Sequence, residues 1–243
     1  MENLDSYIKK ELEIEQIKCH IYYYENTSIN KIIYWIEDFT LLAPEELKSL
    51  SSIKNFLIVG ISIADWNTNL TPWYCPRLFG KKKNDFKGEG QKTYDWLINY
   101  CIPRIEKDYE NILEKDKVNR YIGGYSLSAL FSLWVLYSDK NKKEKIFNGA
   151  CACSPSLWFI KWDEFMKDRS APEGIILYLS LGDKEGQTKN ETFKKMRTGM
   201  DQMIEMVKND KNVKKYFYEE NKGGHYVNAE LRMAKGFKWI IEN

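Results

Sequence analysis

The sequence is short of the residues that several common chemistries require. Only two histidines, His20 and His225, occur in 243 residues, with no H-x-x-x-H or H-x-H spacing, so the usual histidine-rich metal sites cannot be built and no metal is expected. The five cysteines (Cys19, Cys75, Cys101, Cys151, Cys153) are odd in number and lack a C-x-x-C pair, which argues against a zinc ribbon and a disulfide framework. Reduced thiols in a cytoplasmic protein are the expectation. An excess of one charge is missing too: 37 Lys+Arg against 35 Asp+Glu leave +2, without the basic face that nucleic acid selects. The run Lys81-Lys82-Lys83 reads as ordinary solvated surface. No stretch approaches the roughly 18–20 apolar residues of a membrane span, and the acidic start Met1-Glu2-Asn3-Leu4-Asp5 is unlike the basic opening of a secretory leader.

What is present suits one α/β domain covering residues 1–243. Residues 14–24 and 32–39 are rich in aromatic and β-branched side chains and flank the polar turn Glu25-Asn26-Thr27-Ser28, which predicts an antiparallel hairpin. Pro44-Glu45-Glu46 places proline and acids where a helix begins, predicting a short helix to about Ser51. Phe56-Leu57-Ile58-Val59-Gly60 reads as a strand buried on both faces. A long aromatic loop follows, over 61–87, and then an amphipathic helix over 91–109 that Pro103 bends. Beyond it strands at 118–123, 146–153, 175–181 and 214–219 alternate with helices at 127–138, 162–167, 188–208 and 228–241. Such alternation predicts a mostly parallel central sheet with helices on both faces, whose ligands sit beyond the carboxyl ends of the strands.

At one such end, Tyr121-Ile122-Gly123-Gly124-Tyr125-Ser126-Leu127-Ser128-Ala129 joins a strand to a helix with Ser126 at the tip. A serine there projects into the cleft as a nucleophile only if its neighbours are small. Gly124 meets that need; Ser128 stands where the G-x-S-x-G pattern has glycine. The triplet alone is a weak motif, since Gly60-Ile61-Ser62 is another, and the other reading of Ser126 is a helix cap. A base must be one of two histidines. His20 lies within a strand-forming run and reads as a satisfied strand histidine, whereas His225 follows the last strand through Lys222-Gly223-Gly224, a connection free to carry the imidazole over the sheet edge. A carboxylate that holds the ring in the right tautomer is offered by Gly182-Asp183-Lys184-Glu185, at another strand end. Glu185 reaches further into the cleft than Asp183, which is suited to an Asx turn; both stay candidates. The chain order serine, acid, histidine is the one found in α/β-hydrolases.

These segments, with Ser154-Pro155-Ser156-Leu157-Trp158, resemble the esterase family of α/β-hydrolases that includes the enterochelin esterases and the esterase D enzymes. The resemblance runs from about residue 56 to residue 243. It implies an α/β-hydrolase fold, Ser126 as nucleophile, His225 as base and the Gly182 loop as the source of the acid. Ser128, where the family has glycine or alanine, is a departure.

Acyl transfer also needs hydrogen-bond donors where negative charge develops. The Leu127 N–H, at the start of a helix, is the first expected donor; the second is expected after the 56–60 strand, from Ile61, Ser62 or Ile63. Trp66, Trp73, Tyr74, Trp158 and Phe159 lie on loops at the same edge and either line an apolar pocket or pack the long loop onto the body. The residues therefore predict a serine esterase acting on a small-molecule ester, with no cofactor, nucleic acid or membrane partner. A thioesterase or acyltransferase on the same scaffold, and a non-catalytic binding protein of this fold, are the alternatives.

Overall fold

The computed structural model describes residues 6–37, 40–76, 85–138 and 145–243, so the Lys81-Lys82-Lys83 run and the first five residues lie outside the described residues. The chain opens with two antiparallel strands, β1 (Tyr7–Ile14) and β2 (Ile17–Tyr24), joined by Glu15 and Gln16, both at positive φ. A two-residue turn of that kind matches the right-handed twist of the strands it connects.

This hairpin is not the expected one. The strand β3 (Lys31–Glu37) leaves β2 altogether and lies parallel between β4 (Phe56–Ser62) and β5 (Asn119–Tyr125). Burial explains the difference. Ile32 through Glu37 are all buried, as a strand covered on both faces requires, whereas β1 carries exposed lysines and glutamates and belongs at an edge. Between β3 and β4 runs α1 (Ala43–Leu50), with Pro44 and two glutamates in its first turn as expected.

Among the described residues of the long loop after β4 is a single helical turn, α2 (Trp66–Asn69), capped by the Asp65 carboxylate on the Thr68 N–H at 3.1 Å. The helix expected over 91–109 comes in two pieces, α3 (Gly90–Trp96) and α4 (Ile102–Asp108), linked by a π-turn at Leu97–Cys101. Pro103 has no N–H to donate and its ring crowds the preceding turn; the wider π-turn just before it accommodates both. The remaining elements are α5 (Leu127–Tyr137), β6 (Gly149–Cys153), α6 (Trp162–Met166), β7 (Ile175–Gly182), α7 (Glu191–Asn209), β8 (Val213–Asn221) and α8 (Ala229–Glu242).

The strands form one sheet in the order β1-β2-β4-β3-β5-β6-β7-β8, parallel from β4 onward. Alternate residues of each strand feed two cores. Ile32, Tyr34 and Ile36 face α5 and its neighbours, while Ile33 and Trp35 face α1 and α8. Every residue of α5 is buried, so this helix reads as apolar all round rather than amphipathic. On the other face α8 comes close enough to β6 that a Cβ on Gly236 would sit 2.2 Å from the Cys151 Sγ. All five cysteines are buried and unpaired, and among the described residues no helix is long and apolar enough to cross a membrane.

Candidate active site

β5 ends at Tyr125 and α5 begins at Leu127, leaving Ser126 alone in the turn at φ 60° and ψ −116°. A non-glycine residue in that sparsely populated region costs about 1–3 kcal/mol and persists only where its surroundings hold it. Here they do. The Ser126 N–H donates to the Cys153 carbonyl at 3.0 Å, and its own carbonyl accepts from Leu130 and Ser156 N–H, each at 3.1 Å. The turn is tight enough that a Cβ on Gly124 would lie 2.4 Å from the Ser128 Oγ. Ser128 fits in place of glycine because its hydroxyl folds back on the strand, donating to the Tyr125 carbonyl and accepting from the Tyr125 N–H, both at 2.8 Å.

Two further loops converge on this turn. His225, on the connection between β8 and α8, places its Nε2 2.9 Å from the Ser126 Oγ. Its Nδ1 is 2.7 Å from the Oε2 of Glu185, which stands just past β7. With the carboxylate accepting from Nδ1–H, the lone pair at Nε2 faces the serine hydroxyl. The other carboxylate oxygen of Glu185 accepts from the Ser154 hydroxyl at 2.6 Å, the Gly182 N–H at 2.8 Å and the Arg232 guanidinium at 3.0 Å. Arg232 is 1% exposed and holds the histidine loop as well, donating to the Gly224 carbonyl at 3.0 Å and to the Tyr125 hydroxyl at 2.9 Å. That hydroxyl in turn donates to the His225 carbonyl at 2.6 Å.

Burial is the strongest single influence on Glu185 and disfavours its ionised form. The neighbouring His225, the Ser154 hydroxyl and the Gly182 amide outweigh it and hold the carboxyl below its ordinary 4.5. The unfolded chain therefore takes up this proton more readily than the folded one does. The stability involved is complete above 4.5 and is lost as pH falls through the lower folded value. Denaturant unfolding followed from about pH 7 to about pH 3 is expected to show stability falling on the acid side, with a shallower slope in Glu185→Gln. An equal acid-side slope in that variant would contradict the assignment.

No family model matches the sequence, and no curated protein sequence does either. Solved structures do. Siderophore hydrolase EstA from Aspergillus nidulans superposes over 98% of this chain and 95% of its own, with a TM-score of 0.70 at 18% identity. An IroE-like serine hydrolase from Shewanella oneidensis covers 98% of this chain and 80% of its own at a TM-score of 0.76 and 15% identity. Acyl-protein thioesterase 2 from Zea mays is more distant, with a TM-score of 0.51 and 13% identity over 92% of this chain and 97% of its own. The chain has the α/β-hydrolase fold.

Within this fold the other candidate residues fall as follows. Asp183 turns away from the imidazole: its Oδ1 accepts from the Gly223 N–H at 2.8 Å, and Lys222 stands 3.3 Å from its Oδ2. The Gly223 amide, then Lys222, keep its carboxyl below its ordinary value. Gly223 itself has φ 100°, so the loop before His225 needs glycine there and Asp183 pins it. His20 lies in β2 with its Nδ1 2.8 Å from Glu37, a satisfied strand histidine. Ser62 is a correction: it lies at the end of β4 opposite Glu37 of β3, and β3 separates it from β5, the strand that leads to Ser126. The Ser62 hydroxyl is instead engaged by the Glu37 carboxylate. The next residues, 38 and 39, lie outside the described ones.

A cavity of about 340 Å³ opens beside Ser126 and His225. Trp158 lines it, but Trp66 and Trp73 do not, a second correction. Trp73 packs on Phe159 and Phe165, with ring centroids 5.8 and 5.5 Å away, and its indole N–H donates to the Ile160 carbonyl at 2.9 Å. Trp66 is half-buried against the α5-side core, Phe159 is buried, and the exposed Tyr74 reaches Asp85. Sequence reasoning passed over Arg232, Ser154 and Tyr125. A signal for Arg232 existed: with Ala229, Met233, Gly236 and Phe237 it occupies the apolar face of the last helix, where a charge needs a buried partner.

Proposed function

We propose that the protein is a serine carboxylic-ester hydrolase that cleaves small-molecule esters through an acyl-enzyme on Ser126, with His225 as general base and Glu185 as its orienting acid. The observation that carries this reading is the continuous contact from hydroxyl to imidazole to carboxylate, 2.9 Å and then 2.7 Å, with the serine held in a strained turn. Serine is a poor nucleophile at neutral pH unless a base adjoins it, and an imidazole is a competent base only in the tautomer its carboxylate partner selects.

In the reaction the Ser126 Oγ attacks the ester carbonyl while its proton passes to the His225 Nε2. The tetrahedral oxyanion is met by the Leu127 N–H, which belongs to the first turn of α5 and has no acceptor within the helix. The proton on Nε2 then goes to the departing alcohol, leaving the acyl group on Ser126. Water, activated by the same imidazole, releases the acid. Arg232 holds Glu185 in place; a buried pair of this kind costs about 3–5 kcal/mol when one partner is removed. The names of the structural neighbours, a siderophore hydrolase and a serine hydrolase, support the reaction class.

Purified protein is expected to hydrolyse p-nitrophenyl acetate and butyrate faster than the matching thioesters, and to lose that activity on treatment with a fluorophosphonate. Protein that turns over neither ester and takes up no fluorophosphonate, beside a control hydrolase that does both, would overturn the proposal.

A further inference from the structure

We infer that Trp158 is the specificity-determining wall of this site: it bounds a cavity for one uncharged, apolar arm of the ester and divides it from a second cavity behind. The inference rests on the ester-hydrolase reading and names the class of substrate that the site would select.

The chemistry of the cavity comes from its walls. Beside Ser126 and His225, its lining includes the buried Trp158 and Met196 and the half-buried Phe193, all apolar. Among the described residues its lining contains one cation, Lys184, which is exposed, and one carboxylate. The one carboxylate, Glu185, is committed to His225 and Arg232. A charged group entering the buried part would lose its water and find no partner, whereas an alkyl or aryl group would gain apolar contact. At about 340 Å³ the space lies near the lower end of the roughly 300–1,000 Å³ typical of ligand pockets, which suits a short to medium acyl chain or one ring.

What closes the space is specific. A second cavity, of about 290 Å³, lies against Leu157, Lys161, Thr198 and Gly199, and among the described residues Trp158 alone lines both. The helix α7 comes directly against the loop carrying Trp158: a Cβ on Gly199 would sit 2.8 Å from the Leu157 Cβ. The indole is fixed edge-on to Phe193, with ring centroids 5.8 Å apart at 85°, and packs on Phe86 and Phe159 at 5.8 and 5.9 Å. A side chain so held is a rigid stop, and shortening it joins the two cavities.

The test is the ratio of kcat/KM for p-nitrophenyl decanoate to that for the butyrate, taken within each variant so that the folded fraction cancels. The wild type is expected to favour butyrate and to discriminate against a hemisuccinate ester of similar length. In Trp158→Ala the decanoate-to-butyrate ratio should rise at least about tenfold, and in Trp158→Leu by less. Met196→Phe, which adds bulk to another lining residue of the first cavity, should move the preference toward acetate and decides the matter if Trp158→Ala fails to fold. Ratios unchanged in Trp158→Leu and Met196→Phe, in a wild type that hydrolyses these esters, would overturn the inference while leaving the hydrolase reading intact. A wild type inactive on every ester would instead sink the reading beneath it.

Discussion

Ser126→Ala is expected to lower kcat for p-nitrophenyl acetate by at least about 10³-fold and to leave the far-ultraviolet circular dichroism and thermal midpoint close to those of the wild type. Deleting the Oγ removes the only path to an acyl-enzyme, so what survives is the contribution of oxyanion donors and substrate binding acting on a water molecule. The substitution changes little else. Ser126 holds the turn through its backbone N–H and carbonyl, which alanine retains, and among the described residues its hydroxyl hydrogen-bonds with His225 and, at 3.4 Å, with the Ser156 hydroxyl. Loss of activity with an intact fold therefore reports on chemistry. Turnover at the wild-type rate would refute the nucleophile assignment.

The second large effect separates the two acids. Glu185→Gln is expected to reduce kcat by about 10²–10⁴-fold with little change in KM, because an amide at that position no longer selects the Nδ1–H tautomer or stabilises the imidazolium that forms in the transition state. Its amide oxygen still accepts hydrogen bonds, but the Arg232 charge loses its counterion, so the variant is also expected to unfold at lower denaturant. Asp183→Asn should change kcat by less than about tenfold: the amide oxygen keeps the bond to the Gly223 N–H, and only the ion pair with the exposed Lys222 is lost. Comparing the two kcat values at matched folded fraction checks the assignment. A larger loss in Asp183→Asn than in Glu185→Gln would reverse it.

The parts of the fold that local patterns dictate were the parts legible in the sequence. Apolar runs bounded by turn residues marked β4 through β8, and the small residues around Ser126 marked the strand-to-helix turn. Pro103 announced the break between α3 and α4. Partnership between strands was not legible. Residues 14–24 and 32–39 have the composition of a hairpin, but whether a β-rich run pairs with its neighbour in sequence or crosses to the sheet centre depends on which faces distant helices cover. The same limit reaches the site: the second donor is expected after the 56–60 strand, but β3 lies between that strand and β5, so Ser62 is two strands from the one that leads to Ser126. The aromatic residues show the same limit, since hydrophobicity does not say whether a tryptophan lines the cavity beside Ser126, as Trp158 does, or packs on a neighbouring helix, as Trp73 does. The buried support beneath Glu185 was hidden for a related reason. Arg232 and Ser154 are 78 residues apart and meet only in the folded chain.

The proposed reaction requires a covalent bond to form at one oxygen atom, the Ser126 Oγ. Mixing the protein with p-nitrophenyl acetate, quenching with acid within the first turnover and mapping the peptides by mass spectrometry tests this directly. An acetyl group on Ser126, diminished after the quench is delayed past substrate exhaustion, is the predicted result. Hydrolysis proceeding with Ser126 unmodified at every time point, or with the acetyl group on another residue at kinetically competent levels, would contradict it.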